Sequence, residues 1–490
     1  MNLAAPYFQE RLWITLGALA VALVYSRTFR TRLKTGAPPG MAALAALALF
    51  FALVSRSATP TGDEPHYLIM MQSLLQEGDF ELRGNYENQD YRAYYPDIIP
   101  DPHVIIMDER WFPVHAIGLP ILAASFYSLG GRVGVLVLLA VLTVAGLRVL
   151  WSLLRLAGFG PPATTAATLV AGLTLPVAAM AGQAFPEVPA FLLVAIALSA
   201  IISPRPSRWD VLGFLVAVAL LPWLHPKYAA VSGALLLSLA LVRGLRTTRA
   251  TLVGATSLLI VSVLGHAFLS YRWYGAPLPG APILVARGLS PTDWVPSIIG
   301  HFFVTPWVGL LGVLFDQQSG LFVASPVYAM AVPGAVWLWR RDRALAAACG
   351  LIFVSVYLPA GSFGVWYGGY SSPARLLTPT VPVLAVAMAS ALSSGHRLTW
   401  TLFAILAVPS FLHAVLMTAL PSYTRYGDPL TDHNFFISRL ERLAGMDLTL
   451  LFPSFRHPEP VTWLTAAGYL LAITALSAVL ARPQTAQRLP

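Results

Sequence analysis

Apolar segments long enough to cross a membrane recur along almost the whole chain, separated by short breaks that contain arginine or proline. A hydrocarbon core of roughly 30 Å requires about 20 apolar residues per helix. With 57% hydrophobic and only 11% charged residues, the chain supplies many such segments. The sequence therefore predicts an all-α polytopic membrane protein, a single transmembrane domain over residues 1–490 with about 13 transmembrane helices.

The basic breaks predict how these helices are oriented. A basic cluster at residues 27–34 follows the first apolar segment, and the positive-inside rule places it in the cytoplasm. Alternation from there places the later arginine-rich breaks in the cytoplasm, provided that residues 114–128 and 298–314 do not cross. We expect a multi-pass protein of the plasma (inner) membrane. Its net charge of +9 is dispersed over short loops, which indicates orientation and not nucleic-acid binding.

Acidic residues gather on the predicted outer side, which faces the periplasm or exterior. Only two of the 22 acidic residues fall in predicted cytoplasmic breaks, whereas residues 56–111 hold 11 of them. We interpret residues 56–132 as an external catalytic loop with interfacial helices lying along the membrane. Further external segments are predicted at residues 272–320, with a re-entrant helix, and at residues 419–460. Chemistry is expected on this face.

Two adjacent carboxylates, Asp63 and Glu64, lie early in this loop, in the segment TGDEPHYLIM. Pro65 and the apolar spacing over residues 66–76 predict a helix that begins here, with Asp63 as its cap and Glu64 favourable near the positive end of its dipole. Alternatively, a carboxylate at the water-facing edge of a lipid-exposed cavity acts as a general base on an acceptor hydroxyl. The two roles are compatible.

Other ionisable residues occur at predicted outer helix ends. His115 lies in FPVHAIGLPILA and Glu187 in AGQAFPEVPA, while His225 and Lys227 lie in PWLHPKYAA and Arg375 follows a Gly- and aromatic-rich loop. Each has an ordinary interpretation: a hydrogen-bonded histidine, a helix cap, a lysine that reaches water, or an interfacial arginine. Each also has a functional one, since lysine meets anionic headgroups and arginine grips phosphate oxygens with paired donors.

Together these segments resemble the GT-C superfamily of membrane glycosyltransferases, which includes protein O-mannosyltransferases and the lipid A aminoarabinose transferase. Its members carry an acidic pair in the first large external loop, where GDEPHY falls. FPVHAIGLPILA is similar to a family segment that leads into a helix along the membrane, although Ala116 stands where proline is usual. GFGPPATTAATLVAGLTLPVAAMAGQAFPEVPA is similar to the family's third-to-fourth helix region. The resemblance covers residues 58–375.

The resemblance implies a sugar donor linked to polyprenyl phosphate in the membrane and an acceptor glycan, lipid or protein that arrives from outside. Transfer would invert the anomeric carbon. By position, Asp63 would be the catalytic base, and Glu64 would be its neighbour or the residue that orients the acceptor. Glu187, His66 and His115 would lie near the acceptor or a metal. Arg375 and Lys227 would bind the donor phosphate.

The sequence leaves a metal cofactor and the class of function open. Asp63, Glu64 and Glu187 offer oxygen ligands that would suit a divalent cation, Mg²⁺ or Mn²⁺. A transporter or flippase for lipid or polyprenyl phosphate is the main alternative, and an inactive homologue or scaffold is another. Because the charges gather in one external loop and the two halves of the chain do not match, the enzyme is favoured.

Overall fold

The structure is a computed structural model that describes residues 59–96, 99, 101–277, 306–419, 435–446, 448 and 451–480. The two helices predicted before residue 56, the basic cluster at 27–34, and much of the predicted external segments 272–320 and 419–460 lie outside the described residues.

Helices account for most of the described chain. They are α1 (Glu64–Gln76), α2 (Arg83–Glu87), α3 (Gly118–Leu156), α4 (Pro161–Leu173), α5 (Val177–Met180), α6 (Glu187–Ile202), α7 (Arg208–Leu224), α8 (Ala229–Arg243), α9 (Leu245–Tyr274), α10 (Pro306–Phe315), α11 (Leu321–Ala324), α12 (Ala331–Arg341), α13 (Arg343–Ser362), α14 (Val381–Leu392), α15 (Arg397–Ala419), α16 (Phe435–Ala444) and α17 (Pro460–Leu480). Short 3₁₀ helices occupy Asp90–Ala93, Pro226–Tyr228, Pro326–Met330 and Arg375–Thr380. Strands β1 (Val104–Met107) and β2 (Arg110–Pro113) form an antiparallel hairpin.

Six helical segments of the described residues are long and apolar enough to cross a membrane. They are Gly118–Leu156, Thr248–Tyr274, Arg343–Ser362, Arg375–Leu392, Arg397–Met417 and Pro460–Leu480. The predicted helical membrane fold is confirmed, but the predicted number of about 13 spans is not. Several apolar helices, among them Glu187–Ile202 and Pro306–Phe315, are shorter than 18 residues.

Helix α3 is sharply kinked. Its backbone leaves helical geometry at Gly130 (φ −159°, ψ 24°) and Gly131 (φ 54°, ψ −141°), and the positive φ at Gly131 is easy only for a residue without a Cβ. The kink separates residues 118–129 from the longer part of the helix, so the segment predicted not to cross the membrane ends close to it. Arg132, directly after the kink, is buried.

Small residues allow the helices of the core to approach closely. Helix α3 packs against α6, where a Cβ at Gly146 would lie 2.4 Å from the ring of Phe191. Helix α12 packs against α14, where a Cβ at Gly334 would lie 2.0 Å from the carbonyl oxygen of Ala387. Small residues at such contacts are typical of helix packing in membranes.

An apolar cluster holds the segment that begins with α1 against the longer helices. Tyr67 and Met70 of α1 pack with Leu139 of α3 and with Phe185 and Val188 at the start of α6. Every residue of α1 from Glu64 to Met71 is buried. The sequence suggested an interfacial helix with one face toward lipid, but the first two turns of α1 are enclosed by protein, because the hairpin, α3 and α6 surround them.

Arginines in two of the basic segments between helices contact other segments between helices. The guanidinium of Arg341 donates a 2.7 Å hydrogen bond to the carbonyl of Ala157 and lies 4.5 Å from the ring centroid of Phe159. Arg243 likewise donates to the carbonyl of Ser203. The first contact brings together the breaks near residues 157 and 341. The second brings together the breaks near residues 203 and 243.

A buried turn anchors the loop that carries Arg375. The carboxylate of Asp316 accepts backbone N–H bonds from Gln318 (2.9 Å), Ser319 (2.8 Å) and Phe455 (2.8 Å). The carbonyl of Ser319 in turn accepts the N–H of Ala374 at 3.0 Å. Asp316 therefore connects the segment before α17 to the residue that precedes Arg375.

Candidate active site

Gly62 brings the start of α1 against the loop before Arg375. Its φ is +58°, and a Cβ here would lie 2.6 Å from the carbonyl oxygen of Tyr370, so no other residue fits without movement. This contact places the next residue, Asp63, beside Arg375. The Nη2 of Arg375 donates to Oδ2 of Asp63 at 2.9 Å, across 312 residues of sequence.

The predicted helix begins at Glu64, and Asp63 is its N-cap residue, as predicted. The side chain of Asp63 makes no cap hydrogen bond, however. Its carboxylate binds Arg375 instead, because a charged donor forms a stronger hydrogen bond than a backbone N–H.

Arg375 is held from several sides. It starts a 3₁₀ helix behind Ala374, which has a left-handed backbone (φ 58°). Its guanidinium lies 4.4 Å from the ring centroid of Phe185, a cation–π contact. Its Nε is buried and makes no hydrogen bond within the described part of the chain. Arg375 therefore has one donor on Asp63 and another available for an anion.

The β1–β2 hairpin brings a second histidine to the site. Asp108 and Glu109 both have positive φ, 48° and 64°, as a tight two-residue hairpin turn requires. Val104 pairs with Pro113, so His103 and His115 lie side by side just beyond the paired strands. The Nδ1 of His103 is 2.9 Å from Nε2 of His115.

These histidines border Asp63. The Nδ1 of His103 lies 3.9 Å from Oδ1 of Asp63, the carboxylate oxygen that does not contact Arg375. His66 stacks on His103 with ring centroids 3.7 Å apart, and its Nδ1 lies 2.6 Å from the hydroxyl of Tyr86. The histidine cluster, defined as His66, His103 and His115, therefore forms one wall beside the carboxylate.

Burial and charge determine the protonation of these groups. Burial raises the pKa of Asp63, but Arg375, His115 and His103 together outweigh it and hold that pKa well below its ordinary value. Burial lowers the pKa of His115 to about 4, although Asp63 opposes the shift. Burial also lowers the pKa of His66 well below its ordinary value. At neutral pH Asp63 is therefore ionised, and His66 and His115 are uncharged.

Glu187 and Lys227 complete the charged cleft. Glu187 begins α6, is 2% exposed, and its charge acts on both Arg375 and Lys227. Lys227 lies in the short 3₁₀ helix between α7 and α8, where His225 accepts its backbone N–H. Burial lowers the pKa of Lys227 to about 8, although Glu187 favours its charged form. The Oε2 of Glu187 makes no hydrogen bond among the described residues.

Glu64 faces a different partner from its neighbour. Its Oε1 accepts a hydrogen bond from Nε of Arg132 at 2.8 Å, and the two side chains are 0% and 8% exposed. Consecutive residues of a helix point in directions about 100° apart. Glu64 therefore points toward the kink of α3 while Asp63 points into the cleft.

The structure thus brings together most of the residues singled out from sequence. One cleft contains Asp63, His66, His115, Glu187, Lys227 and Arg375. Sequence reasoning missed His103 and Arg132. The segments VIIM and RWFP, rich in β-branched and aromatic residues on either side of a two-residue polar turn, indicate a hairpin and so would have paired His103 with the region of His115. Arg132, a charge within an apolar run, was also a signal.

A small, open groove lies beside the cleft, with a volume of about 40 Å³. It runs between α9 and the loop after β2, and Ile117, Leu269 and Trp273 line it together with His115 and Pro226. Gly118 permits the close approach here, because a Cβ would lie 2.4 Å from the carbonyl oxygen of Trp223. The groove is largely apolar and reaches the charged site at His115.

No family model matches the chain, and no curated protein matches it either. Among solved structures, the chain is similar to the crystal structure of ArnT from Cupriavidus metallidurans in the apo state. Sequence identity is 16% and the TM-score is 0.46, over 89% of this chain and 76% of that one. At these values the likeness carries no argument about activity, and the chemistry of the cleft is the basis for assigning function.

Proposed function

We propose that the protein is a GT-C-like glycosyltransferase that moves a sugar from a polyprenyl-phosphate donor to an acceptor hydroxyl at the outer face of the membrane. The observation that carries the proposal is the Asp63–Arg375 pair. A phosphate leaving group departs as an anion, so transfer mainly needs a base for the acceptor and a cation for the phosphate. Both lie in one cleft at the ends of apolar helices.

Arg375 is the proposed phosphate ligand. Its buried Nε makes no hydrogen bond among the described residues, and its Nη2 contacts only a partly exposed carboxylate. A donor phosphate can therefore take both nitrogens in the paired geometry that arginine favours. Lys227, the second cation of the cleft, would add charge on the same phosphate.

Phosphate binding also activates the base. With Arg375 on Asp63, the carboxylate has a low pKa and accepts protons poorly. Once the phosphate neutralises Arg375, the effect of burial dominates and the pKa of Asp63 rises. Asp63 then takes the proton of the acceptor hydroxyl. The acceptor oxygen forms its bond to the anomeric carbon as the bond to the phosphate oxygen breaks, with inversion.

The other predicted residues are assigned to neighbouring roles. Glu187, whose charge acts on Arg375 and Lys227, keeps both cations oriented toward the cleft and lies near the acceptor. His66 and His115 border the carboxylate. The apolar groove beside His115 would hold the first part of the polyprenyl chain. Glu64 supports the start of α1 through Arg132.

Orientation toward the periplasm or exterior is part of the proposal. Cys349 is buried, so a Cys349→Ser background permits labelling of single introduced cysteines. A cysteine at the exposed position 83 is expected to react with an impermeant reagent from outside. Reaction from the cytoplasmic side alone would invert the proposed orientation.

Transfer is tested with purified protein in vesicles that contain a radiolabelled polyprenyl-phosphate sugar and membrane extract as acceptor. The expected result is that the sugar donor is consumed, polyprenyl phosphate is released, and the labelled sugar appears in a product. Asp63→Asn is the inactive control, and Glu87→Gln, an exposed carboxylate of the same loop, is the matched active control. Movement of intact donor across the bilayer without its consumption would instead establish the transporter alternative.

A further inference from the structure

We propose that Asp63, His103 and His115 bind one divalent transition-metal ion, with Zn²⁺ preferred over Mg²⁺ and Mn²⁺. The site itself is inferred from geometry alone. Its role in sugar transfer rests on the proposed function. His103 is the residue that makes the site possible, because the hairpin delivers it between the other two ligands.

The spacing of the three ligand atoms fits a metal centre. Each residue offers one atom, and the three atoms all lie within 4.8 Å of one another. Ligands about 2.0–2.1 Å from a tetrahedral Zn²⁺ lie about 3.3 Å apart. The distances of 2.9 Å between His103 Nδ1 and His115 Nε2, and 3.9 Å between His103 Nδ1 and Asp63 Oδ1, bracket that value.

The two oxygens of Asp63 face different partners, so a metal and Arg375 do not compete for one atom. Oδ1 faces the histidines, while Oδ2 accepts from Arg375. Carboxylates that bind metals are commonly hydrogen-bonded by a second group that fixes their orientation. Arg375 supplies that contact until a donor phosphate takes it.

Surrounding groups hold the ligands in place. His66 stacks on His103 with ring centroids 3.7 Å apart, and the Nδ1 of His66 lies 2.6 Å from the hydroxyl of Tyr86. The short hairpin restrains His103 and His115 together through the backbone bond from Val114 N to His103 O, 3.0 Å. Such fixed orientation favours coordination over a mobile surface cluster.

The chemistry of the ligands selects the metal. Two imidazoles and one carboxylate suit Zn²⁺ and other late transition metals, whereas Mg²⁺ and Mn²⁺ favour oxygen ligands. The all-oxygen set considered from sequence included Glu64, which is instead buried against Arg132. Three protein ligands also leave a fourth position open, as in catalytic zinc sites.

Within the proposed reaction, the open position would receive the acceptor hydroxyl. A bound Zn²⁺ would increase the acidity of an oxygen that it contacts. The hydroxyl proton goes to Oδ2 of Asp63 after Arg375 moves to the phosphate, and the acceptor oxygen forms the glycosidic bond. The added positive charge is matched by the anionic donor.

Metal binding is measured on the full-length protein with an affinity tag that contains no histidine. After EDTA treatment, the protein is equilibrated with Zn²⁺, and bound metal is counted by inductively coupled plasma mass spectrometry. One ion per chain is expected for the wild type. Affinity is measured by competition with a chromophoric chelator, and Co²⁺ absorption reports coordination by nitrogen and oxygen. Mg²⁺ and Mn²⁺ are expected to compete weakly.

Ligand variants then test the assignment. His103→Ala and His115→Ala are each expected to weaken Zn²⁺ binding by more than ~10-fold, while His457→Ala, a change at an exposed histidine outside the cluster, binds as the wild type does. Wild-type affinity in both ligand variants, or no bound ion in the wild type, overturns the site. Because the Co²⁺ spectrum uses the unaltered protein, the test stands even where a variant fails to fold.

The outcomes separate this inference from the proposed function. Zinc binding without sugar transfer would overturn the proposed function and leave the metal site intact. Full transfer by protein from which EDTA has removed the metal would overturn the role of the metal in transfer, while the binding measurements on the wild type and the ligand variants decide the site itself.

Discussion

Two neighbouring carboxylates, Asp63 and Glu64, each pair with an arginine. The two ion pairs have nearly the same N···O distance, but they differ in burial and in their surroundings. Asp63 meets Arg375 at 2.9 Å with side chains 25% and 11% exposed, whereas Glu64 meets Arg132 at 2.8 Å with side chains 0% and 8% exposed. The first pair borders histidines, a second carboxylate and a lysine, and so can exchange partners. The second is enclosed, and breaking it leaves a charge without solvent. One pair is suited to chemistry and the other to holding α1 in place.

The largest expected difference is in catalysis. Asp63→Asn should lower the rate of sugar transfer by ~10²–10⁴-fold, the usual contribution of a general base, with little change in melting temperature. Glu64→Gln should keep most of the transfer rate per folded molecule. Rates are measured with radiolabelled donor after correction for the folded fraction by size-exclusion chromatography. Equal loss in both variants would remove the distinction between the pairs.

The second difference is in stability. Arg132→Met leaves Glu64 buried without its counterion, and such a change costs about 3–5 kcal/mol, so the melting temperature should fall clearly. The double change Glu64→Leu with Arg132→Met should recover much of the loss, because it removes both charges. The melting temperatures of the single and the double variant are measured by intrinsic tryptophan fluorescence during heating. A wild-type melting temperature for Arg132→Met would show that this pair is not structural.

The third expected effect concerns the donor phosphate. Arg375→Ala should weaken binding of polyprenyl phosphate by ~10–100-fold, since a charged hydrogen bond contributes about 1.5–3 kcal/mol. Arg375→Lys should fall between, because it keeps the charge and loses the paired donors. Arg83→Ala, a change at an exposed arginine in the loop that carries Asp63, serves as control. Unchanged affinity in Arg375→Ala would move the phosphate site elsewhere.

The smallest effect is the pH dependence of stability. Burial lowers the pKa of His115 to about 4 and that of His66 well below the ordinary 6.5. Between pH 6.5 and about 4 the unfolded chain therefore binds more protons, so stability is complete above this window and decreases as pH falls through it. The pKa of Asp63 is also lowered, and its contribution is lost only below its ordinary 3.8.

Melting temperatures between pH 7.5 and pH 4.5 check this sign. His115→Gln should flatten the decline, and His457→Gln should not. A wild-type melting temperature that rises toward pH 4.5 would contradict the buried, uncharged state of these histidines.

The sequence predicted that the members of the site share one face of the membrane, but not how they pair. Charge alternation assigned Asp63, Glu187, Lys227 and Arg375 to one face, and they lie in one cleft. Adjacency made Asp63 and Glu64 look like a unit, whereas a helix turns its consecutive side chains about 100° apart. Their arginine partners are 312 and 68 residues away, and only tertiary packing determines such pairs.

The helix count shows the same limit of sequence patterns. Hydropathy registers an apolar run without showing whether it crosses a bilayer or packs within protein. Apolar α6 and α10 have fewer than 18 residues, and α1, which resembled a surface helix, is enclosed over its first two turns. The kink after residue 129 is the exception, since its paired glycines are visible in the sequence.

The anchoring turn at Asp316 bears on how the protein is made. Asp63 leaves the ribosome long before Arg375, and the loop of Arg375 is tied through Asp316 to Phe455. At about 5–20 residues per second, tens of seconds separate the synthesis of the first and last of these residues. The nascent protein therefore carries an incomplete cleft through most of its insertion into the membrane. If polyprenyl phosphate binds at Arg375 as proposed, a chain terminated before Phe455 should not retain this lipid on purification.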